Sequence, residues 1–425
     1  MKLESLWLDT APTFTRGAQG PVEGRADVVV VGAGFTGLSA ALALARRGAS
    51  VTVLEAGRVI GEASGRNGGH CNSGTAHDFA TLAARLGMDK ARAFYQAFTA
   101  AVDTVETVVQ QEHIDCDFMR TGKLKLASKP EHYDKLARSC ELLRREADPH
   151  VEMVPASDIR AEVGSGKFFG GLLQKTSGQM HMGKFGVGLA HAAARHGARI
   201  AEHAPVTQLD RRSDGSFRVT TARGSIDAGQ VLLATGNPRT GPFSYLRRRM
   251  VSVGAFIIAT EPLDAAVVQR LLPQRRTYVT SKNFVNYFRV TPDNRLVFGG
   301  RARFAMSNPH SDQKSGRILR TTLEEFFPEL RGVRIDHCWG GMVDMTADRL
   351  PRAGQEDGLY YSTGYSGHGV QMSVHMGQVM ADVMAGRPEL NPWRGLDWPA
   401  IPGHFGKPWF LPFVGAYYRL QDWLH

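Results

Sequence analysis

The chain is poor in cysteine and in long apolar runs. It has four cysteines among 425 residues, and none of them forms a Cys-x-x-Cys pair. This pattern argues against a disulfide framework and a zinc site, and it favours the reducing environment of the cytoplasm. The longest mainly apolar run, residues 251–260, is far too short to span a bilayer. The N-terminal segment mixes acids with apolar residues, so we expect neither a signal peptide nor a membrane span.

Basic residues outnumber acidic ones by 51 to 41, which gives a formal net charge of +10. The arginines stand in small groups, at 211–212, 247–249 and 275–276, and they form no basic stripe with stacking aromatics. We therefore expect a solvated basic surface and no nucleic-acid partner. Attraction of an anionic small substrate is a compatible second interpretation. A chain of this length is expected to divide into two domains.

One segment near the N-terminus carries the most informative pattern. Residues 28–31 are an unbroken run of valine, typical of a strand buried on both faces of a parallel sheet. Gly32, Gly34 and Gly37 follow in G-x-G-x-x-G order, then a helical stretch, then a second strand that ends at Glu55. This is the pattern of a dinucleotide-binding unit, with the pyrophosphate at the helix N-terminus. The acid would bind the ribose hydroxyls and repel a 2′-phosphate, which argues against NADP.

A second small-residue loop, residues 61–70 (GEASGRNGGH), comes shortly after the acid. Further short motifs accompany it at residues 7–12, 232–236, 259–263, 287–289, 298–301, 339–341 and 364–369. Together these segments resemble the D-amino acid oxidase (DAO) family of FAD-dependent oxidoreductases, and within it the gamma-glutamylputrescine oxidoreductase subgroup. The resemblance implies FAD as the cofactor.

The order of the predicted elements indicates two interleaved domains. Helices are predicted over residues 91–113, 131–147 and 184–196, a hairpin over 217–226, a buried strand over 230–234 and long antiparallel strands over 249–301. We therefore predict an α/β fold in which a discontinuous Rossmann-type FAD-binding domain is interleaved with an α+β substrate domain on a mainly antiparallel sheet. The predicted bounds are 1–80, 152–240 and 340–395 for the first domain and 81–151 and 241–339 for the second. The aromatic tail, 396–425, is expected to cap the fold, with a membrane interface or a partner protein as alternatives.

The resemblance also implies where FAD binds. Strand ends and the loop 361–369, which precedes a helix, would complete the site begun by the glycine turn. In this family the N-terminus of that helix lies near the flavin N1 and C2 carbonyl, where negative charge develops on reduction. Val206 could equally be a core valine. The expected cofactor-binding residues are Gly32, Gly34, Phe35, Thr36, Gly37, Glu55, Ala56, Ser64, Gly65, Arg66, Asn67, Gly68, Gly69, His70, Val206, Thr235, Gly236, Gly364, Tyr365, Gly367, His368, Gly369 and Val370.

Spacing bears on whether the flavin is covalently attached. Relatives that resemble sarcosine oxidases attach it to a cysteine shortly before a Thr-x-Asp segment. Residues 346–348 match that segment, and Gly341 stands five residues upstream of it. We therefore expect non-covalent FAD and interpret Cys338 as a small buried residue. Cys71 and His70 remain alternative attachment points.

The chemistry implied by the resemblance is oxidation of a carbon–nitrogen bond by hydride transfer to flavin N5, followed by hydrolysis of the imine. This chemistry requires neither a metal nor a Ser–His–Asp set, and we find neither pattern. The residues expected to act in the substrate site are Tyr287, His368, Arg289, Arg301 and His181. Tyr287 and Arg289 alternate on one strand face, so Arg289 could clamp a substrate carboxylate or could be a surface arginine. Met182 stands where subgroup relatives have a proline after the histidine, which weakens the assignment of His181.

The expected substrate is a secondary amine or a gamma-glutamyl amine that bears a carboxylate. A D-amino acid or glycine oxidase or dehydrogenase is the first alternative. A flavoprotein without turnover, active in assembly or electron transfer, is the second. Oxygen or another electron acceptor would then receive the electrons.

Overall fold

The computed structural model describes residues 1–238, 240–300, 303–356, 358–406 and 408–424. In chain order the strands are β1 (Arg25–Val31), β2 (Val51–Leu54), β3 (His70–Cys71), β4 (Lys123–Leu126), β5 (Glu152–Val154), β6 (Gly171–Gln174), β7 (Gly178–Gln179), β8 (Arg199–Ala201), β9 (Val206–Arg211), β10 (Phe217–Thr221), β11 (Gly224–Leu233), β12 (Val251–Pro262), β13 (Thr277–Thr280), β14 (Asn286–Val290), β15 (Arg295–Gly300), β16 (Ile335–Met345), β17 (Arg352–Glu356) and β18 (Leu359–Thr363). The helices are α1 (Leu6–Thr10), α2 (Phe35–Arg46), α3 (Ala63–Arg66), α4 (Phe79–Leu86), α5 (Met88–Gln111), α6 (Pro130–Glu146), α7 (Met182–Arg195), α8 (Ser244–Arg247), α9 (Ala265–Leu271), α10 (Pro309–Phe326), α11 (Gly369–Met384) and α12 (Leu411–Leu424).

The first large sheet has the strand order β17-β18-β11-β1-β2-β8, and β9 and β10 extend it from β11. Strands β18, β11, β1, β2 and β8 run parallel to one another, and β17 is antiparallel to β18. The valine run of β1 is buried, as expected for a central parallel strand covered on both faces. Helix α2 packs between α7 and α11. The turn into α2 follows the last residue of β1, so it lies at the carboxyl edge of the sheet. Open α/β sheets bind their ligands at this edge.

The second large sheet has the order β16-β12-β15-β14-β13-β4-β6-β5 and is antiparallel except where β13 pairs with β4. One face packs under α10. There the rings of Tyr278, Phe288 and Phe298 stack in neighbouring strands, with centroid distances of 5.1 and 5.7 Å. On the opposite face, Ile257 and Trp339 belong to the apolar core that contains α2 and α11. The second sheet therefore lies over the first domain, and the interface between them is dominated by apolar side chains.

The predicted fold class is confirmed, but two domain boundaries move. Strands β5 and β6 were predicted in the FAD-binding domain, yet they pair with each other and with β4 in the second sheet. The boundary predicted at residue 340 falls inside β16, which stays in the second sheet to its end. Both errors have one cause, since short apolar strands carry no signal for the sheet they join. The predicted hairpin strand and the strand over 230–234 are one long strand, β11, which pairs with both β10 and β1.

The C-terminal helix α12 packs one of its faces on the rest of the chain. Tyr418 stacks on Phe304 at 5.7 Å, and the Asp422 carboxylate accepts hydrogen bonds from the backbone N–H groups of Asn283 and Phe284. The opposite face of α12 exposes Phe413, among other apolar side chains. Of the helices formed by described residues, none combines the length and the apolar character that crossing a bilayer needs.

A buried carboxylate joins three helices around the first sheet. Glu112, at the end of α5, accepts hydrogen bonds from Arg46 of α2, from Arg195 of α7 and from His196. Although burial works against ionisation, these donors hold the pKa of Glu112 below its ordinary value. Its negative charge therefore stabilises the fold above the ordinary glutamate pKa, and this contribution is lost as the pH falls through the lowered value.

Replacing Glu112 tests this junction. The Glu112 side chain is 5% exposed, so Glu112→Ala removes the shared acceptor of three donors. We expect the free energy of unfolding to fall by about 1–3 kcal/mol, measured by urea denaturation of the FAD-loaded protein. Glu152→Ala is the control, because its ion pair with Lys175 is 51% exposed on both sides, and it should cost less than about 1 kcal/mol. Equal effects of the two substitutions would contradict the proposed role of Glu112.

Candidate active site

The turn between β1 and α2 requires glycine at two positions. Gly32 has φ +106°, and a Cβ atom there would lie 2.9 Å from the carbonyl oxygen of Ala234. A Cβ atom at Gly37 would clash with the carbonyl oxygen of Gly32. Gly34, at the N-cap position, provides no capping side chain. The N–H of Phe35 is taken by Ser64 Oγ, which leaves those of Thr36 and Gly37 to face an anionic ligand.

Glu55 lies next to this turn, at the end of β2. Its Oε2 accepts a hydrogen bond from the N–H of Ala33 (2.7 Å), and its Oε1 accepts one from the N–H of Gly57 (2.8 Å). Burial raises the pKa of the Glu55 carboxyl, and these two bonds oppose the shift. The Ala204 N–H donates to the Glu55 carbonyl, which brings the segment leading to Val206 alongside the acid. The arrangement fits a ribose, with the adenine expected beside Val206.

The loop predicted to contact the cofactor is held largely by its own side chains. Ser64 Oγ accepts from the N–H of Phe35 (3.0 Å) and therefore lies at the N-terminus of α2. Arg66 donates from Nε to the carbonyl of Gly61 and from Nη1 to that of Gly340. Asn67 Oδ1 accepts from the N–H of Gly69. Arg66 and Asn67 thus shape the loop through bonds to the chain itself.

The N-terminal segment supports the same loop, a role that the sequence analysis missed. Trp7 Nε1 donates to the carbonyl of Asn67 (2.6 Å), and Ser5 Oγ donates to that of Gly65 (2.7 Å). Both side chains are buried. The segment lacks periodicity, and its one available signal was a tryptophan in an otherwise irregular stretch.

The loop 364–370 approaches the α2 turn from the other side. The Tyr365 hydroxyl is 2.9 Å from Thr36 Oγ1 and 2.9 Å from Ser362 Oγ. Burial raises the pKa of Tyr365 to about 12, so the hydroxyl stays protonated. His368 stands at the N-cap position of α11. Thr363 Oγ1 donates to the carbonyl of Thr235, which joins this loop to the end of β11.

Three buried polar atoms without a hydrogen-bond partner among the described residues mark the region where a cofactor fits. They are His70 Nε2, Thr235 Oγ1 and His368 Nδ1. Each belongs to a segment predicted to bind FAD, and buried polar atoms normally have partners. Together with the α2 turn and Glu55, the residues present fit a dinucleotide that carries a flat ring.

The two histidines of this region are uncharged at neutral pH. Burial, with the charge of Arg289 next, lowers the pKa of His70 to about 3. Burial lowers the pKa of His368 to about 4, and the nearby charges of Lys123 and Lys125 add to the shift. Tyr287 contacts His70 edge to face, with ring centroids 5.5 Å apart. The structure therefore brings Tyr287 and His70 together.

Arg289 has a different role from the one expected of it. The side chain is 1% exposed. It donates from Nε to the carbonyl of Gly68 (3.0 Å), from Nη1 to Gln179 Oε1 (3.0 Å) and from Nη2 to the carbonyl of Met180 (2.8 Å). Its guanidinium also lies over the Trp7 ring, 4.8 Å from the centroid. These contacts fix the cofactor loop and the Gln179–Met180 segment to β14, and they use three of the five N–H groups of the guanidinium.

His181 makes structural contacts at the start of α7. His181 Nδ1 accepts from the N–H of Lys184 and so caps α7, while its Nε2 is 2.9 Å from Thr10 Oγ1. Both ring nitrogens are therefore engaged in structural contacts. Arg301 lies outside the described residues.

The predicted attachment points differ in position. A Cβ atom at Gly341 would lie 3.1 Å from the Cβ of Arg66, so this position does face the cofactor loop. Cys338 faces the opposite side of β16, where its Sγ donates to the carbonyl of Asp312. Cys71 is buried beside His70, and burial raises the pKa of its thiol. All four cysteines are free thiols.

Known proteins match this arrangement along most of the chain. The family model of the FAD dependent oxidoreductases, DAO, matches residues 27–383. Gamma-glutamylputrescine oxidoreductase of Escherichia coli (strain K12) is 34% identical over 403 residues, which cover 93% of this chain and 92% of that protein. Glycine oxidase of Bacillus licheniformis is 25% identical over 389 residues, which cover 87% of this chain and 95% of that protein.

A solved structure of a glycine oxidase has the same fold as this chain. Glycine oxidase from Geobacillus kaustophilus superposes with a TM-score of 0.72 at 21% identity, over 88% of this chain and 100% of that one. At this identity the likeness concerns the fold alone. The predictions of the family, the fold class, the cofactor FAD and an enzymatic activity are confirmed. The chain belongs to the DAO family of FAD-dependent oxidoreductases.

Proposed function

We propose that the protein oxidises the C–N bond of an amine that bears a carboxylate, either a gamma-glutamyl amine or a secondary amine. The main support is the similarity to a gamma-glutamylputrescine oxidoreductase, which covers more than nine-tenths of both chains. The uncharged histidines around the expected flavin position agree with oxidation of a neutral amine. A cytoplasmic location remains a prediction from the cysteine pattern.

FAD, when bound, supplies the acceptor for a hydride and its electron pair. The α2 turn and Glu55 would hold its dinucleotide part, and the loops around His70 and His368 would hold the flavin. The substrate loses a hydride from carbon and a proton from nitrogen, and a C=N bond forms. Water then adds across that bond and releases an aldehyde and an amine, or ammonia from a primary amine. Oxygen or another acceptor would reoxidise the flavin.

The residues around the site influence the protonation state of the substrate amine through burial and through their charges. A protonated amine has no lone pair to form the C=N bond, so the site must favour the neutral form. The neutral rings of His70 and His368 provide no counter-charge for an ammonium group, and the buried cation of Arg289 disfavours one. The N-terminus of α11 adds a partial positive charge on the same side.

The reaction is tested by mixing the FAD-loaded protein with single amines in the absence of oxygen. Gamma-glutamylputrescine should bleach the visible absorbance of oxidised FAD, whereas glycine and D-alanine should bleach it far more slowly. The reason is that the described residues place no free guanidinium beside Tyr287 to hold an α-carboxylate. Rapid bleaching by glycine or D-alanine alone would favour the amino-acid oxidase alternative. Failure of every amine would favour a flavoprotein without turnover.

Arg289→Lys tests whether this arginine supports the loop or clamps substrate. Lysine keeps the charge but cannot bond three separated acceptors in one plane. We expect the free energy of unfolding to fall by about 2–5 kcal/mol and less FAD to remain bound after gel filtration. Arg295→Lys, on neighbouring β15 and bonded to Asp336, is the control and should retain its FAD. Normal FAD content with a raised KM for carboxylated substrates only would restore the clamp assignment.

Denaturation should release the flavin, because Gly341 occupies the position of the attachment cysteine in relatives. Acid treatment followed by filtration should leave all FAD in the filtrate. A fluorescent band at the mass of the protein on a denaturing gel would contradict this prediction. Cys71→Ser would then show whether the buried thiol beside His70 carries the flavin.

A further inference from the structure

Side chains on one face of the second sheet form a row that leads away from the cofactor loop. In the strand register Lys125 of β4 pairs with Val279 of β13, and Val279 pairs with Tyr287 of β14. Directly paired residues project to the same face of a sheet. Lys125 therefore projects to the face on which Tyr287 contacts His70.

A second lysine of β4 shares this face. Lys123 precedes Lys125 by two residues, and alternate residues of a strand project to the same side. The Lys123 side chain is 9% exposed, and within the described part of the chain its Nζ donates only to the carbonyl of Ser73 (2.6 Å). That acceptor lies in the segment that follows His70. Burial lowers the pKa of Lys123 to about 7, as expected for an ammonium group without a counter-ion.

Lys125 also lacks a close anionic partner. It is half-buried and makes no hydrogen bond or ion pair with a described residue. The carboxylate that most affects its pKa is that of Asp78, which caps α4 through the N–H of Thr81 and lies 4.0 Å from Lys135 Nζ. Lys123 and Lys125 thus lie two residues apart on one face of the sheet, and among the described residues neither is hydrogen-bonded to a carboxylate. An anionic ligand would supply the missing charge.

We propose that Lys123 and Lys125 form the binding site for the carboxylate of the amine substrate. Neighbouring strands lie about 4.8 Å apart, so Lys125 is roughly 10 Å from Tyr287 along the row. A carboxylate held by Lys125 is therefore separated by several bonds from a C–N bond positioned beside Tyr287 and His70. This geometry selects amines with a distant carboxylate, such as gamma-glutamyl amines, over α-amino acids. The inference rests on the proposed function for the reaction and adds the position of the carboxylate.

The test compares two substrates that differ only in this charge. One is gamma-glutamylputrescine, and the other is the same molecule with its carboxylate converted to a carboxamide. In the unmodified protein the carboxamide should bind about tenfold more weakly, as judged from the concentration dependence of anaerobic flavin bleaching. This difference should disappear in Lys125→Met, which should bind both compounds with the weaker affinity. Lys125→Arg should restore the preference, because it keeps the positive charge.

Lys135→Met is the matched control. Lys135 also lies near Asp78, but its side chain is 70% exposed on α6, so the substitution should leave both affinities unchanged. Lys123→Met should weaken the binding of the carboxylated substrate as Lys125→Met does, provided that the variant folds and retains FAD. An unchanged preference for the carboxylate in Lys125→Met would overturn the proposal.

A ligand without any amine separates this proposal from the proposed function. N-butylglutaramate has the chain and the carboxylate but nothing to oxidise. We expect it to bind the FAD-loaded protein and to bind Lys125→Met about tenfold more weakly, measured by calorimetry. This result would support the lysine site even if no amine reduced the flavin. Equal binding to both proteins would overturn the lysine site without touching the proposed reaction.

Discussion

The buried guanidinium of Arg289 is the interaction on which the site most depends. Its strand, β14, belongs to the second sheet, but its acceptors are the carbonyl of Gly68 in the cofactor loop and the Gln179–Met180 segment beside it. Trp7 covers the guanidinium from the N-terminal segment and itself donates to the same loop. One cation thus fixes the loop against the second sheet. Removing it would leave several buried acceptors without donors, which is costly.

The same cation shapes the chemistry on the substrate side. The charge of Arg289 adds to burial in keeping His70 neutral, and Lys123 and Lys125 do the same for His368. Arg289, Lys123 and Lys125 therefore add positive charge on the sides of the expected flavin position where His70 and His368 lie. Such a field disfavours a protonated amine and favours an anionic group on the same substrate. A carboxylated amine that reacts in its neutral form meets both conditions.

The sequence predicted the local patterns and the family but not the contacts between distant segments. The glycine turn and Glu55 lie within one βαβ unit, so their spacing alone defines the site. The position of Arg289 on a strand predicted which residues share its face. That position could not predict that the guanidinium of Arg289 bonds the carbonyl of Gly68, which lies 221 residues away in the chain. The support from Trp7 was missed as well, because the five-residue helix α1 is too short to produce a periodic signal in the sequence.

The central claim is that the protein converts an amine to an imine that water hydrolyses. Analysis of one turnover without oxygen, in water labelled with oxygen-18, tests it most directly. With gamma-glutamylputrescine, each equivalent of FAD reduced should yield one equivalent of aldehyde, with the label in the aldehyde when it is trapped before exchange. Flavin reduction without aldehyde, or an unchanged amine after prolonged contact with the FAD-loaded protein, would contradict the account.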